Sequence, residues 1–239
     1  MQTTTLSLFR FDGPWGRLGA FAMMGFARGP MSCMPGLTFW KLCGSGTGEG
    51  FTPKPNTAVW GVLCVWQDQE TARAALQTRA PFRWYHANAT ESWTVFLRPI
   101  SSRGSWSGQS PFAVENPQMP DHGIVALTRA TIKPSILMQF WRRVPDISGV
   151  IGDNSDVLMK IGLGEVPFLH QITFSIWPDL ASMARFARDP GPHAAAIQAV
   201  RDGKWFREEL YARFAVLDEV GHWNGQQSVT FSQKATQTQ

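Results

Sequence analysis

The sequence predicts an α+β fold made of two fused ferredoxin-like βαββαβ repeats, the dimeric α/β-barrel type contained in one chain. The first observation is that three residues recur at a constant spacing of 119 positions: Arg10, Phe21 and Lys41 as Arg129, Phe140 and Lys160. The second is that two motifs recur at spacings of 111 and 117: Trp66-Gln-Asp68 as Trp177-Pro-Asp179, and Ser105-Trp-Ser-Gly108 as His222-Trp-Asn-Gly225. A period of about half the chain indicates two copies of one small module and excludes a solenoid.

In the first half, alternating apolar and polar residues predict a strand over Thr5–Phe11, and mixed apolar spacing predicts a helix over Pro14–Arg28. Asp68 is the expected N-cap of a later helix, because its carboxylate accepts from unpaired backbone N–H groups. The remaining elements complete the βαββαβ order: strands Leu37–Leu42, Thr57–Trp66 and Trp93–Arg98, and helices Gln69–Leu76 and Pro81–Asn88.

The second half repeats this order, with Pro134 in the first turn of its first helix and Asp179 as a second N-cap. Its predicted elements are strands Ile124–Thr131, Val157–Ile161, Gln171–Trp177 and Tyr211–Leu217, and helices Pro134–Val144, Asp179–Ala187 and His193–Arg201. A Ser-, Gly- and Pro-rich stretch over 99–122 predicts a connection between the halves. We expect a first repeat over 1–108, a linker over 109–122, a second repeat over 123–225 and a disordered polar tail over 226–239.

Two such sheets either pack face to face into a barrel-like core or each leave a cleft under their helices. The aromatic composition suits both, since 11 Trp and 16 Phe fill cores or line an apolar pocket. Only 17% of the residues are charged, which is low for an ordinary domain. The net charge of +4 comes without a dense Lys/Arg run, so nucleic acid is not an expected partner, whereas an anionic membrane surface is.

The three cysteines form no C-x-x-C motif, which argues against a disulfide framework or a zinc site and favours a reduced, cytoplasmic setting. The N-terminus lacks the features of a signal peptide, and the longest apolar stretches are too short to span a bilayer. We therefore expect a cytoplasmic protein in peripheral contact with a membrane.

Histidine is the residue type that most directly suggests chemistry. The five histidines are too scattered for a multi-histidine metal site, but a haem iron needs only one axial histidine. His193 is the best placed, because the small residues of Gly191-Pro-His-Ala-Ala-Ala-Ile197 leave room for a flat macrocycle. A capping contact at the start of a helix explains His193 equally well.

The other polar motifs have structural explanations. The glycine-rich loop Gly44–Gly50 lacks the features of a phosphate cradle and predicts a flexible hairpin loop. Glu165 lies in the loop equivalent to Gly48-Glu49-Gly50, where paired carboxylates could serve a site, but a solvated loop charge is the commoner explanation. Arg10 and Arg129, on the two first strands, either face a ligand acid or pair across the structure. No Ser-His-Asp arrangement or nucleophile elbow is present.

Several long segments resemble the spheroidene monooxygenases of carotenoid biosynthesis in purple photosynthetic bacteria. They occur in order over about residues 1–225: Thr5–Phe11, Phe39–Pro55, Leu127–Lys133, Lys160–Pro167, Thr173–Asp179 and Trp205–Phe214. The resemblance implies a monooxygenase that contains haem b and uses O2 and reduced ferredoxin. Its relatives hydroxylate an acyclic carotenoid, spheroidene, twice at the carbon next to the methoxy-bearing end, which gives the ketone spheroidenone.

The resemblance also carries the axial-ligand role to His193, since Gly191-Pro-His193-Ala matches the family pattern. His170 departs from that pattern and receives no family role. Distal-pocket and substrate-contact residues are not assigned. Two other functions remain open: a protein that binds haem or carotenoid without catalysis, and a monooxygenase of this fold that works without a cofactor.

Overall fold

The computed structural model describes residues 1–48, 52, 54–120, 123–142, 156–188 and 205–230. Its eight strands are β1 Thr3–Arg10, β2 Leu37–Gly46, β3 Pro55–Trp66, β4 Glu91–Gly104, β5 Ile124–Ile132, β6 Met159–Gly164, β7 His170–Trp177 and β8 Phe206–Gly221. The helices of the described residues are α1 Gly13–Phe26, α2 Arg28–Ser32, α3 Gln69–Thr78, α4 Ala80–Asn88 and α5 Leu180–Arg188. A 3-10 turn over Pro134–Ile136 leads into helical backbone at 137–142.

The eight strands form one closed antiparallel barrel in the order β1-β3-β2-β6-β7-β5-β8-β4. Each half of the chain contributes a four-stranded sheet, in the order β4-β1-β3-β2 and β8-β5-β7-β6. Two seams join the sheets: the long β4–β8 pairing, and the short β2–β6 pairing in which Gly44 faces Gly164 and Ser45 faces Leu163. The predicted α+β class is confirmed, and the face-to-face arrangement is the one observed.

Three strands are longer than the hydrophobic pattern predicts. β2 continues into the glycine-rich loop as far as Gly46, β4 continues through the expected linker stretch to Gly104, and β8 begins at Phe206. For β4 the reason is the seam, because Ser101–Gly104 pairs with Leu210–Arg213 of β8 although its residues are polar. β8 starts early because Phe206 pairs with Ile132 of β5, in its own half of the chain. Backbone pairing therefore continues these strands beyond the residues that show alternation.

The barrel interior is one apolar core to which both halves contribute, including Leu8 and Trp93 from the first and Leu127 and Phe174 from the second. Phe112 of the expected linker packs inside it, 4.9 Å from the ring of Phe214. The division into domains remains a prediction, but the hydrophobic core is shared.

The first residues of the expected tail belong to the folded structure. Val229 is buried in the barrel core, and the backbone N–H groups of Val229 and Thr230 donate to the Glu219 carboxylate at 3.1 Å. The prediction of disorder from Gln226 is therefore wrong for the described residues up to Thr230. The polar composition of this segment did not predict that Val229 would pack in the core or that the Glu219 carboxylate would bind the backbone.

Both predicted helix caps are confirmed. Asp68 accepts from the backbone N–H of Thr71 at 2.8 Å, and Asp179 accepts from that of Ser182 at 2.7 Å. These bonds lower the pKa of each carboxyl below its usual value. The two aspartates are structural, as the sequence predicts.

Candidate functional site

The strand registers give the residue-by-residue correspondence between the two sheets. Trp66 faces Thr3 in the first sheet and Trp177 faces Ile124 in the second, so β1 and β5 correspond at a spacing of 121, not 119. The Arg10–Arg129 match of the sequence repeat is therefore two residues out of register. The spacing of 111 for β3 and β7 and that of 117 for β4 and β8 agree with the registers.

The outer face of the first sheet carries large apolar side chains on either side of a buried Ser7–Thr94 hydrogen bond. Phe9, Val62, Phe96 and Leu42 are buried there beneath the helices, in one cluster with Trp66 and residues of α3 and α4. Phe9 stacks on Tyr85 of α4 with ring centroids 4.8 Å apart. This face is an ordinary sheet–helix core.

The outer face of the second sheet carries small or polar side chains at the same positions. Ala130 corresponds to Phe9, Thr173 to Val62, Arg213 to Phe96 and Gly162 to Leu42, in registers defined by the pairing of β5, β6, β7 and β8. At the centre of this face Thr128 lies between Thr173 and Tyr211, and Thr128, Tyr211 and Arg213 are exposed.

Apolar contacts are present at the two ends of this face. At one end Trp177 contacts Phe186 of α5, and at the other Ile132 packs with Phe140 and Trp205. The centre has Ala130 and Arg213 where the first sheet has Phe9 and Phe96. Thr128 and Tyr211 correspond to Ser7 and Thr94, which are polar in the first sheet as well. We define this central region, Thr128, Ala130, Gly162, Thr173, Tyr211 and Arg213, as the second-sheet face.

A second polar centre lies at the short seam between the halves. Glu165, in the β6–β7 connection, forms an ion pair with Lys41 of β2 at 2.9 Å and accepts from the Trp106 indole N–H at 2.6 Å. Arg129 and His170 lie 3.7 and 3.5 Å from its Oε1, the latter an ion pair only when the imidazole is protonated. Burial alone raises a carboxyl pKa, but His170, Lys41 and Trp106 outweigh it and lower the pKa of Glu165 to about 2. Glu165 is thus a paired, mostly buried charge, and the expectation of a solvated loop charge is wrong.

Arg10 and Arg129 pair across the structure rather than face a ligand acid. Arg10 donates to Glu91 at 2.8 Å, and Glu91 accepts from the backbone N–H of Gly225 at 2.9 Å. Arg129 donates to Glu208, which accepts from the backbone N–H of Gly108 at 2.7 Å. Each carboxylate therefore binds a turn of the other half of the chain.

The sequence-predicted site residue, His193, lies outside the described residues, as does His122. His86 and His222 are exposed, and His170 starts β7 beside Glu165. Within the described ranges, no cluster of three or more His, Cys, Asp or Glu side chains has the proximity of a metal site. Sequence reasoning missed Glu208, whose 117-residue spacing from Glu91 was the available signal.

Comparison with curated proteins shows three close relatives. The chain is 50% identical over 230 residues to the spheroidene monooxygenase of Cereibacter sphaeroides. The aligned residues make up 96% of this chain and 71% of that protein. It is 46% identical to the Rhodobacter capsulatus enzyme of the same name over 94% of each chain. It is 35% identical to that of Rubrivivax gelatinosus over 89% of this chain and 81% of the relative. No family model matches the chain.

Among solved structures, an aldoxime dehydratase superposes with a TM-score of 0.60 at 10% identity, covering 91% of this chain and 82% of that one. An aldoxime dehydratase in complex with butyraldoxime gives the same TM-score at 9% identity, over 91% of this chain and 80% of the other. At this identity the likeness concerns the fold alone. In the part of the chain that the structure describes, no helix combines the length and apolar character needed to cross a membrane.

Proposed function

Because this chain belongs to the spheroidene monooxygenase family, we propose that it oxidises an acyclic carotenoid of the spheroidene type to a ketone, with O2 as oxidant and reduced ferredoxin as electron donor. Each hydroxylation inserts one oxygen atom of O2 into a C–H bond; two electrons and two protons reduce the other to water. Two hydroxylations at one carbon give a geminal diol, which loses water to form the ketone.

The observation that carries the proposal is the contrast between the two outer sheet faces. A sheet face that packs only against helices buries large apolar side chains, as Phe9 and Phe96 do in the first half. The second-sheet face has Ala130 and Arg213 there. Such loss of apolar side chains at corresponding positions is expected where a ligand, rather than a side chain, completes the packing.

We further propose that the halves are two fused ferredoxin-like repeats, consistent with their strand order and the paired spacings of 111 and 117. The 111-residue spacing also supports a role for His193. Asp179 follows Asp68 by 111 positions, and at the same spacing Pro192-His193 follows Pro81-Phe82. His193 therefore corresponds in sequence to Phe82. Phe82 is fully buried on its sheet's outer face, with its ring 6.1 Å from that of Trp66.

The residues of the second-sheet face suit haem b as the completing group. Thr128, Thr173 and Gly162 are small enough to admit a flat macrocycle, and Arg213 is a cation of the kind that pairs with a propionate. His193 would hold the haem iron, and bound haem would supply the activation of dioxygen. Thr128 and Thr173 would orient the ligand, and the apolar ends at Ile132 and Trp177 would exclude water.

The test is His193→Ala, with His222→Ala as the matched control, since His222 is exposed and lies outside this face. Protein supplied with haem, ferredoxin and its reductase is examined for Soret absorbance and for conversion of spheroidene. We expect His193→Ala to lose both signals and His222→Ala to keep both. Full haem content in His193→Ala would remove His193 from the ligand role.

The same assay separates the two other functions. Ketone formation by haem-free wild-type protein would establish a cofactor-free monooxygenase and overturn the haem proposal. A Soret band without any oxidised product, under full electron supply, would establish a binding protein and overturn catalysis.

A further inference from the structure

Helix α1 packs Ala20, Met23 and Met24 against the protein and leaves four other large apolar side chains exposed to solvent. Trp15, Leu18, Phe21 and Phe26 are 82%, 57%, 66% and 77% exposed, and their spacing places them on one side of the helix. Gly16 and Gly19 allow close approach at one edge of this face, where an added Cβ would lie 3.5 Å from Phe11 and 3.0 Å from Trp84. At its other edge the Phe21 ring lies 6.3 Å from that of Trp60. We define the four exposed side chains as the α1 outer face.

An ordinary surface helix is apolar on the side that faces the protein and polar on the other. Helix α1 is apolar on both sides, because Met23 and Met24 pack inwards while Trp15 and Phe26 remain exposed. Isolated exposed apolar residues are common, but a contiguous row of two Phe, a Trp and a Leu marks an interaction surface.

The charges around the α1 outer face indicate which surface it fits. No carboxylate occurs between Asp12 and Glu49, whereas Arg17 and Arg28 are exposed on α1 and α2. The neighbouring helix α4 adds exposed Arg83 and has no carboxylate. A second copy docked face to face would bring arginines together without partners, whereas an anionic bilayer provides both phosphates for the arginines and hydrocarbon for the rings.

We propose that the α1 outer face docks the protein on an anionic lipid surface. Trp15, Phe21 and Phe26 insert among the acyl chains near the headgroups, and Arg17 and Arg28 bind phosphate groups. The biological role of this contact rests on the proposed function, because a carotenoid substrate is dissolved in the bilayer and has to be reached there. The lipid contact itself requires neither haem nor turnover.

The experiment compares wild type with Trp15→Ser/Phe21→Ser/Phe26→Ser in flotation with vesicles containing phosphatidylglycerol. The matched control is Val114→Ser/Met119→Ser/Val220→Ser, three exposed apolar residues outside α1. We expect the α1 variant to bind at least about tenfold more weakly, and the control to bind as wild type does. In wild type, vesicles should slow amide hydrogen exchange over Gly13–Phe26, and neutral phosphatidylcholine should bind less protein.

Equal flotation of wild type and the α1 variant, without protection of α1, would overturn the proposal. Wild type that fails to float but is a dimer, with the α1 variant a monomer, would assign the face to a second copy and also overturn it. A failure of the proposed function would be distinguishable from a failure of lipid docking. The α1 variant should keep its Soret band and its conversion of detergent-dispersed carotenoid, and loss of those signals in wild type leaves flotation unaffected.

Discussion

Lys41 of β2 and Glu165 of the β6–β7 connection form a 2.9 Å ion pair across the short seam of the barrel. The backbone pairing at this seam is brief, with Gly44 facing Gly164 and Ser45 facing Leu163. The ion pair therefore supplies a side-chain link where the ladder is weakest. Arg129 and Trp106 extend the link to β5 and to the turn that follows β4.

Glu165→Gln should destabilise the protein by about 1–3 kcal/mol, because it leaves the charges of Lys41 and Arg129 without their shared carboxylate. Urea unfolding at pH 7 measures the change. Glu115→Gln is a control, because Glu115 is exposed and its carboxylate accepts from the backbone N–H of Gln2 at 3.1 Å. An unchanged midpoint in Glu165→Gln would show that the seam does not depend on this residue.

The stability of the protein should fall as the pH is lowered from about 4.5 towards 2. The pKa values of Glu165 and Glu208 are both lowered in the folded state from 4.5 to about 2, against the effect of burial. Backbone N–H groups of Gly108 and Ser107 are the main cause for Glu208. A carboxylate whose pKa is lower in the folded than in the unfolded state stabilises the protein above the unfolded pKa. That stabilisation is lost as the pH falls through the folded pKa. Thermal melts from pH 7 to 2 should show a shallower acid loss in Glu165→Gln/Glu208→Gln than in wild type.

Gly104→Ala and Gly221→Ala should each destabilise the protein by about 1–3 kcal/mol or more. Both glycines have positive φ, +97° and +95°, and an added Cβ would collide with the carbonyl oxygen of Glu209 or of Ser92. Gly25→Ala is the control, because its Cβ would meet no atom within 4 Å and alanine favours a helix. Denaturant unfolding of the three variants measures the change in the free energy of unfolding. Equal losses for Gly104→Ala and Gly221→Ala would also support the proposed repeat.

Thr128→Phe and Thr173→Leu should lower haem retention with little effect on the melting temperature. Both enlarge side chains at the centre of the second-sheet face, where Thr128 faces Thr173. The control is Val62→Thr in the first sheet, which should cost about 1–3 kcal/mol because Val62 is buried in an apolar core. Soret absorbance per protein and circular dichroism melts measure the two effects. Unchanged haem content in both threonine variants would argue against this face as the site.

One thiol should react rapidly in the native protein and three after unfolding. Cys33 is exposed, whereas Cys43 and Cys64 are fully buried. Burial raises the pKa of the Cys43 thiol, with a further contribution from the Glu165 charge, and burial also raises the pKa of Cys64. Because the thiolate is the reactive form, both should resist a disulfide reagent at pH 8. A second fast thiol in native protein would contradict the buried placement.

Elements with a strong apolar pattern were predicted closely. β3, predicted from Thr57 to Trp66, runs from Pro55 to Trp66, and α4 begins one residue before its predicted start. The C-terminal ends of β4 and β8 were missed, because their pairing partners lie in the other half of the chain. The side-chain environment of Glu165 was missed for the same reason, since Lys41 is 124 residues away in the sequence.

The sequence by itself determined the element order, the two aspartate caps and the likeness of the halves, because these follow from local propensity, capping chemistry and internal comparison. The tertiary structure alone decided between the barrel and the separate clefts that the sequence left open. It alone showed that β1 and β5 correspond two residues away from the apparent repeat, and that Ala130 and Arg213 occupy the outer-face positions of Phe9 and Phe96. Register and packing depend on which strands meet, and no local pattern in one strand specifies the strand beside it.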